Sequence, residues 1–445
     1  MGTRTKQVRR LRLASALSGV VLAGIAVTPA YAETVRERQW YLDAMRAEQM
    51  WKTSTGKGVT VAVVDTGVDA DLADLRGQIL PGKDYSRHPG DEHSDYDGHG
   101  TSMGVLIAGT GARGSTTGSY GLAPGAKILP IRVPDFIENA RKDGNQDSYP
   151  TYMSKAIRYA ADSDAQVINI SQASTWNSSE LDKAVAYALS KNKLIFAGVG
   201  NLGTGTNPLQ YPAATPGVVG VGAIGKDMKK TKESQQGPQV DLVAPGADMI
   251  AACTGKTGLC ESHGTSDATA LASASAALVW SQHPDWTNNQ VLRVLLNTAS
   301  GPVSGKERTD SIGYGAVRPR IALTDPGNPG PADEYPLPDY KPGGSAAAQG
   351  GASAKPSTGA SASPAAASGD ESRALPWILA GVGALVLMGA GGGALAVRND
   401  RRRAALTASV PPTPQHGWAQ PPHPGPQPGQ GQPWPYQDTN HTGRP

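Results

Sequence analysis

The stretch "VTVAVVDTGVD", Val59 to Asp69, decides the fold. Its apolar run is continuous rather than alternating, which is the pattern of a strand covered on both faces. The run closes on Asp65, and Thr66-Gly67 follows as a turn whose backbone donors can hold a carboxylate. Three further runs read the same way: "KILPIRV" (Lys127 to Val133), "QVINIS" (Gln166 to Ser171) and "KLIFAGV" (Lys193 to Val199). Between them, Tyr152 to Ser163 and Ser179 to Asn192 carry apolar residues at helical spacing, the second entered through a serine cap. Strands alternating with helices imply an α/β fold, a parallel sheet with helices on both faces. Ligands of such sheets sit beyond the carboxyl ends of the strands, which directs attention to Asp65 and to Asn201, just past the fourth run.

Two other stretches carry chemistry. "DGHGTSMGVLIAG" sets His99 between glycines at the start of a small-residue helix. "HGTSDATALASASAALV" sets Ser266 at the start of another, where unpaired backbone N–H groups point outward. A serine hydroxyl is a weak nucleophile that needs a base, and the base needs a third group to hold its tautomer. Ser266, His99 and Asp65 supply those parts, with the Ser266 N–H and the Asn201 amide as donors to an oxyanion. Taken singly, Asp65 reads as a turn carboxylate, His99 as an interior histidine and Ser266 as a helix cap. Their joint presence points to nucleophilic catalysis.

These blocks, with "GKGVTVAVVDTGVD", "GLAPGAKILPIRV", "YPAATPGVVGVGAIG" and "DLVAPGADMI" in order, make the segment from Trp40 to Ala322 resemble the subtilisin-like serine peptidases, or subtilases. The resemblance implies the catalytic roles for Asp65, His99 and Ser266 and the oxyanion role for Asn201. It also implies no cofactor, and a peptide substrate laid as an added strand beside Ser171 and the Gly198 to Gly200 segment. Three departures stand out. Ala270 replaces a proline four residues after the nucleophile, which leaves the helix start less constrained. Asp267 places a carboxylate next to the expected oxyanion, favoured by the helix dipole but opposed to developing negative charge. Ser171-Gln172-Ala173 stands where the family carries Ser-Leu-Gly. These departures motivate a rival reading, a catalytically weak subtilase domain acting as a structural part of a secretion complex.

The flanks divide the 445 residues further. Residues 1–32 join a basic start, an apolar run and Ala30-Tyr31-Ala32, the pattern of a secretory signal peptide. The catalytic segment is expected over 33–324, with the stretch from Glu33 to Trp51 open between a short propeptide and part of the fold. Residues 325–373 are rich in Pro, Ala, Gly and Ser and read as a flexible tether. Residues 374–397 are uncharged and about the 20 residues long that a membrane-crossing helix needs. Arg398, Arg401, Arg402 and Arg403 follow and place the Pro-rich tail, 398–445, in the cytoplasm. Its Trp418 and Trp434 are either docking points or incidental aromatics. This order of parts is similar to that of the mycosins, membrane-anchored subtilases associated with type VII secretion, and implies a secretion membrane complex as partner.

A net charge of +3 is small for 445 residues, and nothing in the charge balance points to nucleic acid as a partner. Two cysteines, Cys253 and Cys260, close in sequence and in an exported segment, favour a local disulfide over a metal site. The acidic loop from Gly90 to Asp97 offers Asp91, Glu92 and Asp95, but without the ligand spacing of a calcium loop it reads as solvated.

Overall fold

The computed structural model describes residues 33–135, 148–254 and 257–341. The signal-like leader, the tether beyond Lys341, the expected membrane span and the tail lie outside the described residues. Among the described residues no helix is long and apolar enough to cross a membrane.

The chain opens with short helices α1 (Val35–Arg38), α2 (Trp40–Met45) and α3 (Ala47–Met50), the first closed by a capping box between Thr34 and Glu37. Strands β1 (Thr60–Asp65), β2 (Lys83–Asp84), β3 (Lys127–Arg132), β4 (Val167–Ile170), β5 (Leu194–Gly198), β6 (Val219–Ile224) and β7 (Leu242–Pro245) form one sheet in the order β2-β3-β1-β4-β5-β6-β7. Every pairing in it is parallel. The four runs read from the sequence are thus strands β1, β3, β4 and β5, and Val61 to Val64 are buried throughout.

Helix α4 (His99–Ala108) follows β2, α5 (Tyr149–Asp162) follows β3, and α6 (Ser179–Ser190) follows β4 with Ser178 as its cap. An antiparallel hairpin, β8 (Met249–Ala252) and β9 (Leu259–Ser262), leads into α7 (Thr265–Gln282). The hairpin is stapled by the Cys253–Cys260 disulfide, as the sequence led one to expect. Helix α7 packs against β4 to β7 and against α4, and its run of small residues from Ala268 to Val279 is buried all round. Helices α8 (Asn288–Asn297) and α9 (Pro319–Thr324) complete the domain.

The stretch from Glu33 to Trp51, left open by sequence, is woven into the core: Tyr41, Leu42 and Met50 are fully buried or nearly so. The Tyr41 hydroxyl donates to Ile250 O at 2.9 Å, and Trp51 Nε1 donates to Leu122 O at 2.9 Å. At the other end, the boundary read at Thr324 falls short. Residues 325–341 lie against the domain, with Leu337 1% exposed and the Tyr335 hydroxyl donating to Gly217 O at 2.7 Å. Arg293 holds the strap from outside through Pro329 O, Pro331 O and Glu334 O. Composition hid this because three or four well-placed side chains, not apolar density, make the contact.

Leu337→Ala is therefore expected to lower unfolding free energy by about 2–4 kcal/mol in urea denaturation of the full-length chain. A strap that merely tethers would change it by no more than about 0.5 kcal/mol.

Candidate active site

Because the sheet is parallel, the ends of β1, β4 and β5 open on one edge, and they carry Asp65, Ser171 and the loop to Asn201. Asp65 is fully buried. Its Oδ1 accepts from the backbone N–H of Thr66 at 2.8 Å and meets His99 Nδ1 at 2.8 Å. Its other oxygen is buried with no partner among the described residues, so His99 is the main compensation for the carboxylate charge.

Close approach of two backbones makes this pairing possible. A Cβ on Gly100 would sit 2.1 Å from Gly67 O and 3.0 Å from Asp65 Cβ, so only glycine lets the start of α4 press onto the end of β1. The His99 side chain keeps 26% of its surface open. Burial opposes its charged form, but the Asp65 carboxylate, by charge and hydrogen bond, outweighs that with help from Asp267 and Asp97, and the pKa is raised.

Ser266 lies in the first turn of α7, partly exposed, with its backbone N–H among those the helix leaves unpaired. Its hydroxyl donates to Ser171 O at 3.0 Å, and the Ser171 hydroxyl donates to Ser266 O at 3.2 Å. Asn201 is exposed beside this turn, its Oδ1 accepting from Thr265 N at 2.9 Å and Thr265 Oγ1 at 3.2 Å. That fixes the amide so that Nδ2 remains as the donor. Gly264, at φ 146°, leaves room for it, since a Cβ there would come within 2.9 Å of Asn201 Nδ2.

Gly198 and Gly200, expected along the substrate edge, are buried against the helix start. A Cβ on Gly198 would press on Thr265 Oγ1 at 2.9 Å, and Gly200 N donates to the same hydroxyl at 3.3 Å. Thr265 thus ties together the β5 loop, Asn201 and the turn that bears Ser266, a role that sequence reading did not assign.

Asp267 does not stand open beside Ser266. It is 1% exposed and accepts from the Ser262 hydroxyl at 2.5 Å, against the β9 end of the stapled hairpin. Burial pushes its carboxyl up to about 6, with Ser262 and His99 pulling it down. The folded value lies above the unfolded one, so this group costs nothing at low pH and loses stability as pH rises through about 6. Asp267→Asn is expected to be more stable than the parent at pH ~8, by on the order of 1–3 kcal/mol, and so to melt at a higher temperature, with the gap closing by pH ~4. Thermal melts across that range check it.

The acidic loop holds no metal cluster: among the described residues no group of three or more candidate ligands converges. Asp95, one of its four carboxylates, is instead buried and fully engaged in hydrogen bonds within the site.

A sequence profile of the subtilase family matches residues 56–321. Mycosin-1 of Mycolicibacterium smegmatis is 32% identical over 359 residues, covering 69% of this chain and 78% of that relative. Thermitase of Thermoactinomyces vulgaris is 32% identical over 268 residues, covering 60% and 90%. Among solved structures, MycP1 from the ESX-1 type VII secretion system superposes with a TM-score of 0.58 at 30% identity, over 69% of this chain and 91% of that one. A structure of the periplasmic assembly from the ESX-5 inner membrane complex gives a TM-score of 0.57 at 27% identity, over 70% and 89%.

Proposed function

The chain belongs to the subtilase family of serine proteases, and from that premise we propose a membrane-anchored, extracytoplasmic serine endopeptidase associated with type VII secretion. The observation that carries the reading is the Asp65–His99 pair, 2.8 Å apart, set at the same sheet edge as Ser266 and Ser171.

In the proposed reaction the Ser266 hydroxyl leaves Ser171 O, turns to His99 Nε2 and gives up its proton as Oγ attacks the scissile carbonyl. Asp65 holds the Nδ1 proton and stabilises the imidazolium. The Ser266 N–H and Asn201 Nδ2 donate to the oxyanion. The imidazolium then protonates the leaving amine, and water, deprotonated by His99, resolves the acyl-enzyme. Because the surroundings raise the His99 pKa, the free base forms on the alkaline side and turnover rises with pH. The reaction as written draws on no cofactor.

The substrate reading places a peptide strand beside Ser171 and the Gly198 to Gly200 segment. Similarity to mycosin-1 and to MycP1 supports a secretion complex as partner. The apolar segment 374–397 with its following arginines supports a single anchor with the C-terminus inside. The rival reading of a weak, structural domain rests on Asp267, Ala270 and the Ser171-Gln172-Ala173 edge.

The experiment is hydrolysis of a mixed peptide library by the full-length chain, with product ends read by mass spectrometry. Internal cuts support an endopeptidase, and intact peptides at high enzyme concentration would sink it. Asn201→Ala is expected to lower kcat by about 10²–10³-fold while KM changes less than about threefold, since its donor serves the transition state alone.

A further inference from the structure

We infer that Asp95 is a positioning residue for the Asp65–His99 pair: through Thr66 and Thr101, its carboxylate fixes the end of β1 against the start of α4. The inference rests on the proposed roles of Asp65, His99 and Ser266.

Four donors converge on this carboxylate. Oδ1 accepts from the Thr66 hydroxyl at 2.8 Å and from Gly98 N at 2.9 Å. Oδ2 accepts from Thr101 N at 2.8 Å and from the Thr101 hydroxyl at 2.6 Å. Asp95 is 8% exposed, so these bonds replace solvent rather than supplement it.

The arrangement answers a local need. Helix α4 begins after Gly98, which has no side chain to cap the free N–H groups of the first turn. Asp95, three residues upstream of Gly98, caps Thr101 from outside the helix, with its charge at the positive end of the dipole. Glycine at the cap is required by φ 82° there and by Thr254 Oγ1, which would lie 2.8 Å from a Cβ.

The same carboxylate also reaches β1. Thr66 uses its hydroxyl twice, donating to Asp95 and accepting from Gly100 N at 3.1 Å, while its own N–H holds Asp65 Oδ1. Thr101 does likewise, donating to Asp95 and accepting from Asp69 N at 3.0 Å. Asp65 and His99 come from elements far apart in sequence, and this network is the polar bridge that sets their register. Asparagine cannot replace Asp95: each oxygen faces a backbone N–H, so either amide orientation sets a donor against a donor.

Thr66→Val keeps the shape of Thr66 and removes only its hydroxyl, while Thr66→Ser keeps the hydroxyl. Both, with Asp95→Ala, are compared with the parent as full-length chains, by peptide hydrolysis and by the far-downfield proton NMR signal of the His99 Nδ1 proton. Thr66→Val is expected to lower kcat about 10–100-fold with KM within about twofold, as misplacement of reacting groups by a fraction of an ångström does. Its Nδ1 signal should shift or broaden, and Thr66→Ser should restore both rate and signal. Asp95→Ala, where it folds, should match or exceed the loss in Thr66→Val.

A Thr66→Val chain with parental kcat and an unmoved Nδ1 signal would overturn the inference. Equal losses in Thr66→Val and Thr66→Ser would overturn it too, since the hydroxyl would then not be the operative group. A parent chain that shows the Nδ1 signal but cleaves nothing would strike the proposed peptidase reading itself. The inference would then stand or fall on the signal in the variants alone.

Discussion

Ser266→Ala is expected to lower turnover of a peptide substrate by on the order of 10⁵–10⁶-fold, leaving the small rate that binding and the oxyanion donors sustain alone. The neighbouring hydroxyl is not placed to take over. It belongs to Ser171, which is buried and committed to Ser266 O at 3.2 Å while accepting from Asn169 Nδ2 at 3.1 Å. The variant should fold, because the lost hydroxyl bonds only Ser171 O and the cap of α7 rests on Thr265 and Asn201. Folding is checked by an unchanged thermal midpoint, and turnover by product release over hours. A loss smaller than about tenfold would assign the chemistry to some other group.

Asp65→Asn comes next, with an expected loss of about 10⁴-fold near neutral pH. The carboxylate accepts from His99 Nδ1, which leaves Nε2 of the neutral ring unprotonated and able to accept a proton. An amide in its place can donate to Nδ1 and so favours the opposite tautomer, whose Nε2 carries a proton and cannot accept another. The substitution also removes the charge that chiefly raises the His99 pKa against burial, so the rising limb of the pH–rate profile should move to lower pH. The sign follows from the direction of the shift: a base with a lower pKa becomes unprotonated earlier as pH rises. A profile that kept its limb in place would show that Asp65 does not face the catalytic imidazole.

Much of the frame was legible because buried parallel strands announce themselves as unbroken apolar runs. Val59 to Asp65 and Lys193 to Val199 bracket strands Thr60–Asp65 and Leu194–Gly198 within a residue at each end. The helix expected from Tyr152 begins earlier, at Tyr149, where Pro150 takes a first-turn position without needing its missing N–H. The helices of 35–50 were not legible, being four to six residues each and too short to show a period. The strap of 325–341 was misread because its composition is that of a linker, while Tyr335 and Leu337 do the packing one residue at a time.

At the candidate site, residues with distinctive chemistry can be singled out from their motifs, and residues that act by hydrogen bonding cannot. Asp65, His99, Ser266 and Asn201 stood out because each follows a strand or opens a helix in a recognisable block. Thr265, Thr66 and Thr101 are ordinary threonines in sequence, and their importance lies in which backbone N–H each hydroxyl meets. Asp95 was seen as one of several loop carboxylates. Its burial depends on the fold of residues far from it in sequence. Asp267 was read as a carboxylate beside Ser266, but the partner that engages it, Ser262, is reached only through the hairpin.

The central claim is that Ser266 is a nucleophile activated by His99. It is tested most directly by treating the full-length chain with a fluorophosphonate and locating the adduct by peptide mass spectrometry. The expected result is one stoichiometric adduct on Ser266, absent in Ser266→Ala and slowed by orders of magnitude in His99→Ala. A folded parent chain that stays unmodified, or an adduct that maps to another residue, would contradict it.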